Sequence, residues 1–113
     1  MKVIENKGAD SMLTYDKLVR DLIPDIIQAS GKTAEIEVVS DEVAFDYLVK
    51  KLDEEVAEFK TDQNLEELAD VLEVLFALAQ KLGYEEQDLL AKRLEKKNAR
   101  GGFEKNIVLK STK

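Results

Sequence analysis

Residues 64–82 read NLEELADVLEVLFALAQKL, and this stretch decides the fold. Its centre, VLEVLFALA at residues 71–79, is apolar nearly all round, with Glu73 its single charge. A helix of that kind is buried on more than one side. A chain of 113 residues can bury one core but struggles to surround such a helix alone. The sequence therefore predicts that a second copy supplies part of the cover, in a dimer or a tetramer. Glu73 predicts either a polar cavity near the helix seam or an ion pair to another helix or subunit. Gly83 stops the helix.

On the N-terminal side, Ser40 or Asp41 caps a helix whose apolar positions Ala44, Tyr47, Leu48, Leu52, Val56 and Phe59 recur at spacings of three and four. The break at residues 61–64, TDQN, is short, so the two helices run antiparallel. Further upstream, Pro24 opens a short helix with Asp25 in its first turn, and Gly31 closes it. AEIEVV at residues 34–39 alternates around Ile36 and Val38 and predicts a short strand or extended connector at 35–39. On the C-terminal side a fourth helix covers about residues 85–98, with Leu89, Leu90 and Leu94 facing inward and Gly101-Gly102 as its stop. FEKNIVLK follows, with a second extended segment near 104–109 set beside 35–39. The predicted architecture is an all-α antiparallel bundle with these two short extended pieces, a single domain over residues 15–113. Residues 1–14 precede it as a loosely ordered arm.

Composition narrows the chemistry. There is no cysteine and no histidine, which removes disulfides, thiol nucleophiles, sulfur or imidazole metal sites and every Ser-His-Asp arrangement. Reactive groups must be carboxylates, lysines, arginines, tyrosines or hydroxyls. No apolar run approaches the ~20 residues of a membrane span, and the first residues lack the apolar core of a secretion signal. The expectation is a cytoplasmic protein without a membrane partner. The net charge of −7 opposes nonspecific nucleic-acid binding. It conceals a basic C-terminal segment after a strongly acidic body, which suits either a metal with a phosphorylated ligand or a tail lying on its own body.

The acidic residues that matter are Glu54, Glu55 and Glu58 on the second helix and Glu67 and Asp70 on the third. Residues three or four apart share a helix face. Glu55 with Glu58, and Glu67 with Asp70, therefore face each other across the antiparallel seam. Carboxylates gathered at a half-buried seam repel unless they take up protons or a cation. Mg²⁺ is the natural ion, being hard, oxygen-seeking and content with a few carboxylates plus water and phosphate. Spacing alone leaves open a solvated acidic face, with Lys50 or Lys51 giving Glu54 ordinary support within its own helix.

E-E-x-x-E at residues 54–58 followed by E-x-x-D at 67–70 resembles the signature of the all-α nucleoside triphosphate pyrophosphohydrolases. That superfamily includes MazG, the dimeric dUTPases and phosphoribosyl-ATP pyrophosphohydrolase. YDKLVRDLIPDII at residues 15–27 and KKNARGGF at 96–103 resemble the phosphoribosyl-ATP pyrophosphohydrolase-like branch of MazG-type proteins. The gap between Glu58 and Glu67 is shorter than in most MazG proteins and leaves less room for a capping loop. The resemblance implies Glu55, Glu58, Glu67 and Asp70 as Mg²⁺ ligands, with Mn²⁺ able to substitute. It gives Glu54 the part of an outer ligand or a group orienting the attacking water, which places Glu54, Glu55 and Glu58 among the catalytic candidates. It also implies cleavage between the α and β phosphates of a nucleotide, yielding a monophosphate and pyrophosphate. The alternative is a helical dimer that keeps the fold as a nucleotide-binding or regulatory module.

A phosphorylated substrate also needs fixed positive charge. Lys97 and Arg100, three apart at a helix end, are the first candidates, and Lys17 and Arg20 the second. Each pair also has a structural reading: Arg20 anchoring the N-terminal segment to a helix carboxylate, and Lys97 favouring a helix C-terminus. Phe103 is either a base-stacking group or a core anchor, while Tyr47 and Phe59 are read as core.

Overall fold

A computed structural model describes residues 15–113, so the expected arm at residues 1–14 lies outside the described residues. The described chain is all-helical: α1 (Ile23–Ala29), α2 (Asp41–Asp62), α3 (Leu65–Lys81) and α4 (Glu86–Arg100). The signals that set the ends are local. Pro24 lies at the start of α1 with Asp25 in the first turn, where a missing N–H and a negative charge are both favourable. Gly31, at φ +90°, turns the chain away after it. The Ser40 side chain accepts the Val43 N–H at 3.3 Å and caps α2. Asn64 accepts the Glu67 N–H at 2.9 Å and caps α3. The Asp88 carboxylate accepts the Glu85 N–H at 2.8 Å at the start of α4.

The turn between α2 and α3 consists of Gln63, in the left-handed region at φ 46°, and Asn64. So short a connection folds α3 straight back along α2. Lys81, in the last turn of α3, meets Asp41, the first residue of α2, at 2.8 Å and closes the far end of the hairpin. The buried residues of α2 are Ala44, Leu48, Lys51 and Glu55, and those of α3 are Glu67, Val74 and Ala79. The α2 set advances by four, three and four residues, one continuous helix face. The seam is therefore divided along its length. It is apolar where the start of α2 meets the end of α3, and charged where the end of α2 meets the start of α3.

α4 packs against α3 and not against α2. Its Leu90 and Leu94 are 43% and 49% exposed, so the expectation that both face inward is corrected within one chain; Leu89 is half-buried. Residues 35–39 and 104–109 form no strand, alone or together. Val38 is 91% and Ile107 80% exposed. Their alternation marks an extended chain, but no sheet edge among the described residues offers a ladder, and backbone pairing is what makes an extended segment a strand. Phe103, 97% exposed, is not a core anchor. Glu73 is exposed as well, because the side of α3 that carries it is open. Tyr47 and Phe59 are half-buried at the margin of the seam rather than at its centre.

A candidate carboxylate metal centre

The charged half of the seam brings together what the spacing predicts. Glu55, Glu67 and Asp70 each offer a carboxylate oxygen, and the three oxygens lie within 4.8 Å of one another. Oxygens octahedrally placed about ~2.1 Å from one Mg²⁺ lie roughly 3 to 4 Å apart, so small side-chain adjustments suffice to close on an ion. Glu55 comes from the buried face of α2. Glu67 is held by the Asn64 cap, which fixes its backbone N–H, and Asp70 follows one turn later on the same face of α3.

Burial makes this cluster more than a solvated acidic stripe. Glu55 is 1% exposed and Glu67 6% exposed. One oxygen each of Glu55, Glu58 and Glu67 is buried without a hydrogen-bond partner among the described residues. An orphaned buried carboxylate oxygen is costly, and a cation is its natural complement. Burial pushes the Glu55 carboxyl above the ordinary carboxylate range, Lys51 pulls it down, and neighbouring Glu58 adds to the rise. The residues present fit a hard divalent ion: an all-oxygen donor set, buried oxygens without a partner among the described residues, and no histidine or cysteine anywhere in the chain. Glu58 stands outside the tight group of three, and its buried Oε2 has no partner among the described residues.

Cations frame the cluster. The Arg20 guanidinium donates to the Asp70 carboxylate at 2.6 Å. Burial would raise the Asp70 carboxyl, yet it lies below its usual value, with the Arg20 hydrogen bond and charge among the causes. Lys17 donates to Oε1 of Glu54 at 3.3 Å. Asp16, in the same segment, accepts the Tyr47 hydroxyl, and this contact raises the Tyr47 pKa. The segment at residues 15–22 is thus tied to both α2 and α3 beside the carboxylates. Lys97 and Arg100 are exposed on α4, and neither makes a hydrogen bond or ion pair to the cluster among the described residues. The structure unites Lys17 and Arg20 with the acidic group and leaves the other basic pair apart.

Sequence reasoning offers Lys50 or Lys51 only as ordinary support for Glu54; the structure shows that pairing with Lys51 and adds that Lys51 is buried and also reaches Glu55. Lys51 is 6% exposed, with Nζ 3.4 Å from Oε2 of Glu54 and 3.5 Å from Oε1 of Glu55. The signal was present: continuing the spacing of Ala44 and Leu48 along α2 leads to Lys51 and Glu55, so the lysine belongs to the buried face. Two surface hollows, one along Pro24, Gln28 and Ile36 and one along Asp41, Phe45 and Lys81, contain no residue of the cluster.

No protein-family model matches the chain, and no solved structure matches it. A curated protein of Mycolicibacterium smegmatis, described as uncharacterized, is 52% identical to it over 44 residues. The match covers 39% of this chain and 45% of the relative, so the two are comparable over less than half of either.

Proposed function

We propose that this protein is a magnesium-dependent nucleotide pyrophosphohydrolase of the MazG-like, phosphoribosyl-ATP pyrophosphohydrolase-like kind. It splits a nucleoside triphosphate or a related nucleotide into the monophosphate and pyrophosphate. The observation that carries the proposal is the group of carboxylates from α2 and α3, in which one buried oxygen each of Glu55, Glu58 and Glu67 has no partner among the described residues. The order of the sequence blocks at residues 15–27, 54–70 and 96–103 supports the nucleotide.

Glu55, Glu67 and Asp70, with Glu58 beside them, would hold the ion. When bound, Mg²⁺ neutralises phosphate charge and lowers the pKa of a coordinated water, the chemistry that in-line hydrolysis of a phosphoanhydride requires. Glu54 is pinned by Lys17 and Lys51, at the edge of the cluster, where a carboxylate can orient a water and accept its proton. Arg20 is 47% exposed at its side chain and reaches the cluster from solvent. A planar guanidinium at that mouth is suited to two oxygens of an arriving phosphate. Lys97 and Arg100 are proposed to reach substrate from α4 of a second copy.

The test is a panel of nucleotides with Mg²⁺ or Mn²⁺, scored for pyrophosphate and run beside Glu58→Ala and Asp70→Ala. Pyrophosphate release by the wild type and its loss in both variants supports the assignment. Full activity in both variants overturns the site. No release from any nucleotide, with no thermal shift on adding Mg²⁺, leaves the non-catalytic helical module as the reading.

A further inference from the structure

The carboxylate oxygens at the seam fall into two sets. Both oxygens of Glu54 and one of Glu55 face ammonium groups: Glu54 Oε1 faces Lys17 at 3.3 Å, Glu54 Oε2 faces Lys51 at 3.4 Å, and Glu55 Oε1 faces Lys51 at 3.5 Å. The other set, Oε2 of Glu55, Glu58 and Glu67, is buried and has no partner among the described residues. Glu55 belongs to both, presenting one oxygen to the lysine and leaving the other without a partner among the described residues. Lys51 is itself 6% exposed, so its charge is not screened by water and cannot easily swing away.

Sites holding two divalent ions set them ~3.5–4 Å apart, commonly with a carboxylate shared between them. Here the second oxygen of that shared carboxylate, and the neighbouring Glu54, are already taken by a fixed monovalent cation. A dication brought to the same oxygens would stand beside a buried ammonium, and like charges at that range in a low-dielectric seam repel strongly.

We propose that Lys51 is a resident cation of the centre. It holds Glu54 and one oxygen of Glu55 and takes the place a second divalent ion would occupy. The centre therefore binds a single divalent ion per chain, on the side of Glu55, Glu67 and Asp70. This rests on the metal-centre reading above and deepens it, assigning Lys51 a positioning role and the site its stoichiometry.

Manganese alone serves as the probe. Calorimetric titration of the full chain with Mn²⁺ should give one tight ion per chain. Electron paramagnetic resonance at saturating Mn²⁺ should show the six-line spectrum of an isolated ion. Lys51→Met, close in length and uncharged, should raise the stoichiometry to two and broaden the spectrum through spin coupling, whereas Lys51→Arg should stay at one. A coupled pair in the wild type overturns the proposal and leaves the metal centre standing, and it does so without any variant. A Lys51→Met protein that folds, by circular dichroism, and still binds one ion also overturns it. Absence of any Mn²⁺ binding in the wild type overturns the metal centre itself.

Discussion

Arg20, from the segment preceding α1, places a guanidinium nitrogen 2.6 Å from the carboxylate of Asp70 on α3. The two residues are fifty positions apart, and their contact joins the N-terminal segment to the carboxylate group. As an ion pair at a partly exposed position it contributes little to stability. Its significance is competitive, since Asp70 cannot give the same oxygen to Arg20 and to a metal ion.

Arg20→Ala should therefore separate metal binding from substrate binding. Without the guanidinium, one competitor for the Asp70 carboxylate is removed, and Mn²⁺ should bind several-fold more tightly in the absence of nucleotide. Catalysis should fall in the opposite direction. Losing a charged hydrogen bond of about 1.5–3 kcal/mol lowers kcat/KM by roughly 10- to 100-fold. Titration with Mn²⁺ and steady-state pyrophosphate release measure the two effects. A variant unchanged in both would make the contact purely an anchor for residues 15–22.

Glu55→Gln should stabilise the metal-free protein and abolish its response to metal. Burial raises the Glu55 carboxyl above its ordinary value, so the folded state holds that proton more tightly than the unfolded chain. The associated stability is fully present below the unfolded pKa and is lost as pH rises through the folded one. At neutral pH glutamine keeps the shape without the charge, and Lys51 retains Glu54 as a partner. The gain should be about 1–3 kcal/mol, the scale of an unsatisfied buried polar group. Scanning calorimetry with and without Mg²⁺ checks it: wild type melts higher with the ion by linkage, and the variant melts at one temperature in both. A variant that melts below metal-free wild type would show that the charge is compensated.

Much of this was legible in the sequence, and the failures have a common cause. The cap offered by Ser40 or Asp41, the short break that the structure narrows to Gln63 and Asn64, and the stop at Gly83 are local signals, decided within a few residues. The pairing of Glu55 with Glu67 and Asp70 followed from helical spacing plus a short turn. What local signals could not supply was the far side of each surface. Ile36 and Val38 alternate as strand residues do, yet pairing needs a neighbour that no alternation announces. Leu90 and Leu94 carry the right spacing for a buried face, which one chain leaves uncovered. Lys51 looks like any lysine one turn from a glutamate until the whole α2 face is followed to its charged end.

The Asp41–Lys81 contact sets an acid-side prediction. Its hydrogen bond and charge hold the Asp41 carboxyl below the usual range. A depressed pKa contributes stability above the unfolded value, and that contribution is lost as pH falls through the folded one. The Asp41 side chain is 88% exposed, so added salt should weaken the effect. Carboxyl NMR titration should place Asp41 below an ordinary aspartate, and Lys81→Ala should return it to the ordinary range. An unchanged titration in that variant would mean the two ends of the α2–α3 hairpin are held together by packing alone.

The open face of α3 carries the last prediction. Leu65, Leu68, Leu72 and Leu75 lie outside the α2 seam, and Leu82 continues their spacing of three and four past Ala79. Leu68, Leu72 and Leu82 are 49%, 46% and 61% exposed. Such spacing forms one stripe along a helix and is the pattern by which helices pair. The Cα radius of gyration is 18.4 Å, against the ~13 Å of a compact chain of this length, so the helices are laid out rather than closed on a core. A second copy pairing along α3 would cover this stripe and bring more of the exposed leucines of α4 out of water. Sedimentation should find a dimer or tetramer at micromolar concentration, and Leu72→Glu with Leu75→Glu should give monomers. Because Glu55, Glu67 and Asp70 all come from one chain, the folded monomer should keep its thermal shift with Mg²⁺ while losing any contribution from a partner's Lys97 and Arg100 to turnover. A wild type that sediments as a monomer removes the second copy. A monomeric variant that loses the Mg²⁺ shift would instead mean that subunit contact, and not the α2–α3 hairpin alone, holds the carboxylates in place.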